Sequence, residues 1–133
     1  MSNLKNSRKF SFVRIYKTLT EVLTDQKLAS LGDAYVNFAY SLALSGKKGK
    51  PLGVKVKGDI LAEALKRSGL RKYLPARMTR RVLANATEAL IIYSWLNGHI
   101  TLEDTIAIIE ENDDPVEGFG QLLTAIEKCI KFS

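Results

Sequence analysis

Cysteine and long apolar runs are scarce in this chain, and each scarcity excludes a class of protein. The single cysteine, Cys129, can form no internal disulfide and belongs to no metal-type cysteine spacing, which excludes disulfide-stapled scaffolds and zinc modules. The longest apolar stretch, residues 89–96, is interrupted by Ser94 and is far shorter than the ~20 residues of a membrane-spanning helix. The N-terminal residues mix charge with aromatics and contain no signal-peptide core. We therefore expect a cytoplasmic protein that does not contact a membrane.

The composition is that of an ordinary globular domain. Hydrophobic residues make up 46% and charged residues 26% of the 133 positions, close to the average for soluble proteins. At this length folding buries roughly two thirds of the chain's surface, so no disulfide or structural metal is needed. We expect a single domain over residues 1–133.

The net charge of +6 conceals a strong asymmetry along the chain. Residues 47–81, the basic block, hold twelve Lys or Arg against two acids, which leaves +10. Residues 82–133 hold nine acids against two lysines, which leaves −7. A positive block attracts polyanions, and nucleic acid is the commonest polyanion in a cytoplasm. Charge alone is equally consistent with a solvated basic face that an acidic face balances.

Apolar residues recur at helical spacing along most of the chain. This spacing and the capping residues predict about six helices, over residues 11–23, 26–45, 60–68, 78–97 and 101–111 and from residue 115 onward. The Gly-, Lys- and Pro-rich stretch 47–58 is typical of a mobile loop. Its alternating residues 54–57 (Val-Lys-Val-Lys) are too short and isolated to anchor a sheet. We predict an all-α fold, with Cys129 in the core of the last helix.

Two carboxylates lie inside apolar helical segments. Asp33 is in the middle of the second predicted helix, and Glu88 is in the most apolar one. A lone buried carboxylate is costly unless it is paired, protonated or bound to a cation. Two such groups could together hold a hard divalent metal. Alternatively, each pairs with an arginine such as Arg80 or Arg81, or reaches solvent at a helix end.

Four segments resemble the ribonuclease III endonuclease domain, in that family's order. Residues 28–38 (Leu-Ala-Ser-Leu-Gly-Asp-Ala-Tyr-Val-Asn-Phe) resemble its signature helix, and residues 60–70 resemble its short helix that ends in a Gly-Leu turn. Residues 82–91 (Val-Leu-Ala-Asn-Ala-Thr-Glu-Ala-Leu-Ile) resemble its second acidic motif, and residues 93–109 the turn and helix that follow. The resemblance implies the family's helical fold. It leaves no length for a separate double-stranded-RNA-binding domain, so we expect the endonuclease domain alone.

In the family, four carboxylates per subunit gather around divalent metal. Asp33 and Glu88 occupy two of the four positions, whereas Ala29 and Asn85 stand where the family has a Glu and an Asp. The site's formal charge is thereby reduced from −4 to −2. The resemblance therefore implies Asp33 and Glu88 as catalytic residues and ligands of Mg²⁺ or Mn²⁺, with the Asn85 carbonyl as a weaker ligand.

The function implied is a divalent-metal-dependent endoribonuclease that cleaves double-stranded or structured RNA in RNA processing, weakened by the missing acids. The alternative is a catalytically inactive module of the same fold that binds structured RNA or a ribonucleoprotein. Family members dimerise through this domain, so a homodimer is expected. The basic block supplies the expected RNA contacts, which are Lys47, Lys48, Lys50, Lys55, Lys57, Arg77, Arg80 and Arg81.

Overall fold

The fold is all-α in the computed structural model, which describes residues 10–132. No strand occurs within that range. A short 3₁₀ turn, Gly69–Tyr73, lies between α3 and α4. Residues 10–132 form six α-helices, which are α1 (Leu19–Leu23), α2 (Gln26–Lys48), α3 (Gly58–Arg67), α4 (Arg80–Leu96), α5 (Leu102–Glu110) and α6 (Pro115–Cys129). The predicted fold class is confirmed.

Helix α4 is the centre of the molecule because it is apolar on nearly every side. Eleven of its seventeen residues are buried, and α1, α2, α3 and α6 all pack against it. Helix α5 packs on α2, and α6 packs on α3 and α5. The two helices that carry the acidic motifs, α2 and α4, therefore lie directly against one another.

Three helices, α2, α5 and α6, begin at capping residues that the sequence predicts. The Asp25 carboxylate accepts hydrogen bonds from the Lys27 and Leu28 amides at 2.9 and 3.0 Å and so caps α2. Thr101 and Asp104 form a reciprocal capping box at α5. Asp114 caps α6, whose first residue is a proline.

The predicted first helix is wrong over most of its length. Helix α1 has only five residues, and residues 10–18 have no helical structure. Tyr16 is buried and makes an edge contact with Tyr93, with ring centroids 5.5 Å apart. Ile15 is 93% exposed. A helical stripe would place Ile15 and Tyr16 side by side on one face, and the core takes up Tyr16 alone.

Three smaller predictions also need correction. Helix α2 continues past the predicted end at residue 45 to Lys48 and is capped by Gly49, whose φ of 72° is the left-handed conformation that glycine adopts readily. The sequence also predicts that Asp59 caps the helix over residues 60–68, but Asp59 lies in the first turn of α3 and makes no capping hydrogen bond there. Cys129 is exposed at the end of α6, outside the core. None of the helices within residues 10–132 has the length and apolarity needed to cross a membrane.

Candidate active site

Gly32 allows α2 and α4 to approach closely enough to form the site. A Cβ atom added to Gly32 would lie 2.1 Å from the carbonyl oxygen of Glu88 and 2.6 Å from its carbonyl carbon. Backbone atoms of α4 thus occupy the space that any side chain at position 32 would need. The glycine places its neighbour Asp33 beside Glu88 on the opposite helix.

A wide groove of about 820 Å³ lies along this helix contact. Ala29 and Asp33 line it from α2, and Asn85 and Glu88 line it from α4. The structure therefore brings the four positions of the acidic motifs together in one groove, although they lie up to 59 positions apart in sequence. Asp33 and Glu88 are called the acid pair below.

The two members of the acid pair differ in burial. Asp33 is exposed and Glu88 is half-buried, so the expectation that both are buried is wrong for Asp33. Burial raises the pKa of Glu88 to about 8, with a further contribution from the adjacent Asp33 carboxylate, while Lys55 acts in the opposite direction. Near neutral pH, in the absence of a cation, Glu88 therefore retains a proton that an ordinary glutamate has lost.

Arginines do not neutralise the acid pair among the described ion pairs. Arg80 contacts Asp59 at 3.0 Å and Glu63 at 3.5 Å instead. Asp33 accepts a hydrogen bond of 3.1 Å from the side-chain amide of Asn37, one turn further along α2. The alternative in which each acid is balanced by Arg80 or Arg81 is thus not seen.

The donor set fits one divalent cation better than two. Ala29 is 5% exposed and has no ligand atom. Within residues 10–132, no three or more His, Cys, Asp or Glu side chains cluster in a way that could hold a metal ion. Two adjacent carboxylates in an open groove, with the Asn85 amide on the same wall, still suit an ion such as Mg²⁺ that retains several waters.

Four of the eight predicted RNA-binding residues lie in the groove: Lys55, Lys57, Arg80 and Arg81. Lys47 is directed elsewhere, because its ammonium donates to the Asn112 carbonyl at 2.6 Å and lies 3.8 Å from Asp113. Lys48, Lys50 and Arg77 are exposed and do not line the groove. The structure thus separates the basic block into a groove set and an outer set.

Asn37 is a residue of the site that the sequence did not reveal. Its amide nitrogen donates to Asp33, and its amide oxygen accepts from the backbone N–H of Val56 at 2.7 Å. The available signal was an asparagine four residues after the candidate acid, on the same face of one helix. Asn37 joins the acid pair to the connection between α2 and α3.

Comparison with known proteins agrees with this geometry. The family model described as Ribonuclease III matches residues 26–131, a range that begins at α2 and includes the groove and every later helix. A search of curated proteins finds no match. The match extends over most of the chain, and the residues of both acidic motifs meet in one groove. The chain therefore belongs to the ribonuclease III family.

Proposed function

We propose that this protein is a divalent-metal-dependent endoribonuclease that cleaves double-stranded or structured RNA in cytoplasmic RNA processing. One observation carries the proposal: Asp33 and Glu88 lie side by side, without an arginine partner among the described ion pairs, in a groove lined by basic side chains. Two adjacent carboxylates repel each other, and a bound cation or a shared proton relieves that repulsion. A basic groove attracts the phosphates of the substrate.

The residues of the groove divide the chemistry between them. Asp33 and Glu88 would hold the ion, and Asn37 orients the Asp33 carboxylate through its hydrogen bond. Mg²⁺ or Mn²⁺, when bound, supplies charge neutralisation at the scissile phosphate and activation of the attacking water. Lys55, Lys57 and Arg81 line the groove and would bind the phosphates and orient the backbone. These contacts would be to phosphate and sugar, so recognition would depend on duplex shape more than on sequence.

A second function is favoured by a specific observation. Ala29 and Asn85 replace two acids of the family's site, and each removes a negative charge that would help to hold metal. With a site this depleted, the protein could act as an inactive module that binds structured RNA through the same groove. The two functions share the RNA-binding surface and differ only in cleavage.

We further propose that the protein forms a homodimer through the outer face of α2. Leu31 is 41% exposed and Phe38 is 55% exposed. The two residues are seven positions apart, which is about two helical turns, so they lie on the same side of α2. Exposed apolar side chains at this spacing are typical of an interface. Light scattering coupled to size exclusion tests this, and a monomer that persists at high concentration would overturn it.

A cleavage assay tests the enzymatic proposal. Long double-stranded RNA is incubated with the protein, with and without Mg²⁺ or Mn²⁺, beside Glu88→Gln and Asp33→Asn. Glu103→Gln serves as the matched control because Glu103 is an exposed acid on α5. We expect metal-dependent cleavage that both groove variants lose and the control retains.

The other results are equally informative. Cleavage that survives both groove substitutions would indicate a contaminating nuclease. RNA binding without cleavage, under every metal condition, would favour the inactive module. Absence of both binding and cleavage would overturn both functions.

A further inference from the structure

The connection between α2 and α3 is held by a regular set of hydrogen bonds to one helix face. Asn37, Ser41 and Ser45 follow one another at four-residue spacing on α2 and therefore share a face. Each of them binds the backbone of a residue in the range 52–57, which we call the extended segment. Residues 54–57 of this segment alternate apolar and basic side chains as a strand does, but residues 10–132 contain no sheet for them to join.

The extended segment runs antiparallel to α2, and hydrogen bonds join the two along their length. The Ser45 hydroxyl accepts from the Leu52 amide at 2.9 Å and donates to the Leu52 carbonyl at 3.2 Å. The Ser41 hydroxyl does the same with Val54, at 2.9 and 3.0 Å. The Asn37 side chain accepts from the Val56 amide at 2.7 Å. Three helical side chains thus satisfy backbone groups that a neighbouring strand satisfies in a sheet.

The spacing of the helical side chains explains why the segment 52–57 is extended. Four residues of helix rise about 6 Å, and two residues of extended chain span about 6.6 Å. Alternate residues of the segment therefore meet successive turns of α2 only if the segment is extended. The composition of residues 47–58 is typical of a mobile loop, but the polar face of α2 binds residues 52, 54 and 56 of this range.

The same alternation decides which side chains face outward. Leu52, Val54 and Val56 are partly buried, and Val56 packs against the core. The residues between and after them, Gly53, Lys55 and Lys57, are exposed. Lys55 and Lys57 both line the groove that contains the acid pair. Lys55 also lies close enough to Glu88 to lower its pKa in part.

We propose that Asn37, Ser41 and Ser45 are positioning residues that hold the extended segment as a rigid support, from which Lys55 and Lys57 bind neighbouring phosphates of one RNA strand. Asn37 also joins this support to the acid pair through Asp33. The two lysines and the acid pair therefore keep a fixed position relative to one another. The proposal deepens the proposed function and rests on it. Because the segment is already ordered before RNA binds, less conformational entropy is lost on binding.

The first experiment removes the support without changing the charge of the groove. The double variant Ser41→Ala, Ser45→Ala is compared with Thr124→Ala, because the Thr124 hydroxyl donates to the Gly120 carbonyl of its own helix. Affinity for a labelled, blunt-ended RNA duplex is measured in EDTA, so that binding is recorded without cleavage. We expect about a tenfold loss of affinity for the double variant, because the released residues must be ordered again on binding. The Thr124 control should bind like the native protein.

A second readout separates positioning from general destabilisation. Amide hydrogen exchange of Leu52 and Val54 reports their hydrogen bonds to the two serines directly. We expect both amides to exchange faster in the double variant, while the amides of α4 keep their protection. When Ser41→Thr replaces Ser41→Ala in the double variant, a hydroxyl is retained at position 41. This variant should therefore recover part of the amide protection and of the RNA affinity that the double variant loses.

The lysines are tested by salt dependence. Lys55→Gln and Lys57→Gln should each reduce the slope of log affinity against log salt by about one. Lys128→Gln, an exposed lysine at the end of α6, is the matched control. Slopes that neither groove substitution changes would overturn the assignment of these two lysines to phosphates.

The outcomes distinguish this proposal from the proposed function. If the native protein binds the duplex but the serine variant binds equally well despite faster exchange, the positioning role is overturned and the proposed function stands. Unchanged exchange in the serine variant would overturn the support itself. If the native protein does not bind the duplex, RNA binding fails first, and the phosphate role of the support fails with it.

Discussion

Asp25 and Glu88 are both partly buried carboxylates, but their surroundings are opposite in character. Burial raises the pKa of Asp25, yet the hydroxyl of Tyr16 at 2.5 Å, two backbone amides and Arg14 more than offset it, so its pKa is lowered. Burial also raises the pKa of Glu88, and its neighbour is the Asp33 carboxylate, which raises it further, to about 8.

This difference separates a structural acid from the acid that we propose to be functional. The donors around Asp25 leave it no need for a further partner, and its role is to begin α2. Among residues 10–132, no such donors bind Glu88, which lies beside a second acid. This arrangement costs stability in the absence of a cation. Groups held against their preferred protonation state are concentrated at functional sites.

The largest expected effect comes from restoring the missing acids and so sharpening the contrast. Ala29→Glu with Asn85→Asp returns four carboxylates to the groove. Mn²⁺ affinity, measured by calorimetry, should rise about tenfold per added carboxylate because ligand charge governs binding of hard cations. The metal-free double variant should melt below the native protein, and Mn²⁺ should reverse that loss.

The control for this prediction adds an acid to the same helix outside the groove. Ala34→Glu, at an exposed position of α2, should leave Mn²⁺ affinity unchanged. Equal affinities for the native protein and the restored variant would contradict the placement of positions 29 and 85 around one ion.

A second substitution breaks the contact that creates the acid pair. Gly32→Ala places a methyl group 2.1 Å from the Glu88 carbonyl oxygen, so α2 and α4 must separate. We expect the free energy of unfolding to fall by about 1–3 kcal/mol, measured by urea denaturation. Gly120→Ala in α6 is the matched control, because a Cβ atom added there would have no atom of another part of the described structure within 4 Å. It should be stabilising by about 0.5–1 kcal/mol.

A smaller effect is expected at the structural acid. Asp25→Ala removes the cap of α2 and the partner of Tyr16, and the free energy of unfolding should fall by about 1 kcal/mol. RNA cleavage per folded molecule should be unchanged, because Asp25 does not line the groove. A large loss of specific activity would contradict the separation of the two acids into structural and functional roles.

The smallest effect is a difference in sign between two isosteric substitutions in EDTA. The folded-state pKa of Asp25 is lowered from 3.8, so its stabilisation is present above that pH and is lost as the pH falls through the folded value. The folded-state pKa of Glu88 is raised from 4.5 to about 8, so native stability declines as pH rises between these values. Asp25→Asn should therefore lower, and Glu88→Gln raise, the melting temperature at neutral pH.

Most of the helices could be predicted because their signals are local. Asp25, the Thr101 and Asp104 capping box and the Asp114-Pro115 pair each act within one helical turn. The N-terminal segment was mispredicted for the same reason. Its apolar residues have helical spacing, but the Tyr16 ring packs against Tyr93 of α4 and its hydroxyl donates to Asp25, the cap of α2. Tertiary contacts there override local periodicity.

The motifs around Asp33 and Glu88 were enough to identify the candidate positions and the family. Their surroundings required the structure. Arg80 is balanced by Asp59 and Glu63, and Lys47 is bound at the turn after α5. Charge counting along the chain treats all members of the basic block alike, whereas packing selects four of them for the groove.

The sequence by itself determined the all-α architecture, the helix caps and the absence of two of the four acids, because each depends on residue type and short spacing. The tertiary structure decided that Gly32 brings Asp33 against Glu88, and that the polar face of α2 straightens residues 52–57 beside them. Both depend on which backbone approaches which side chain across the fold. That relation has no counterpart in the order of residues along the chain.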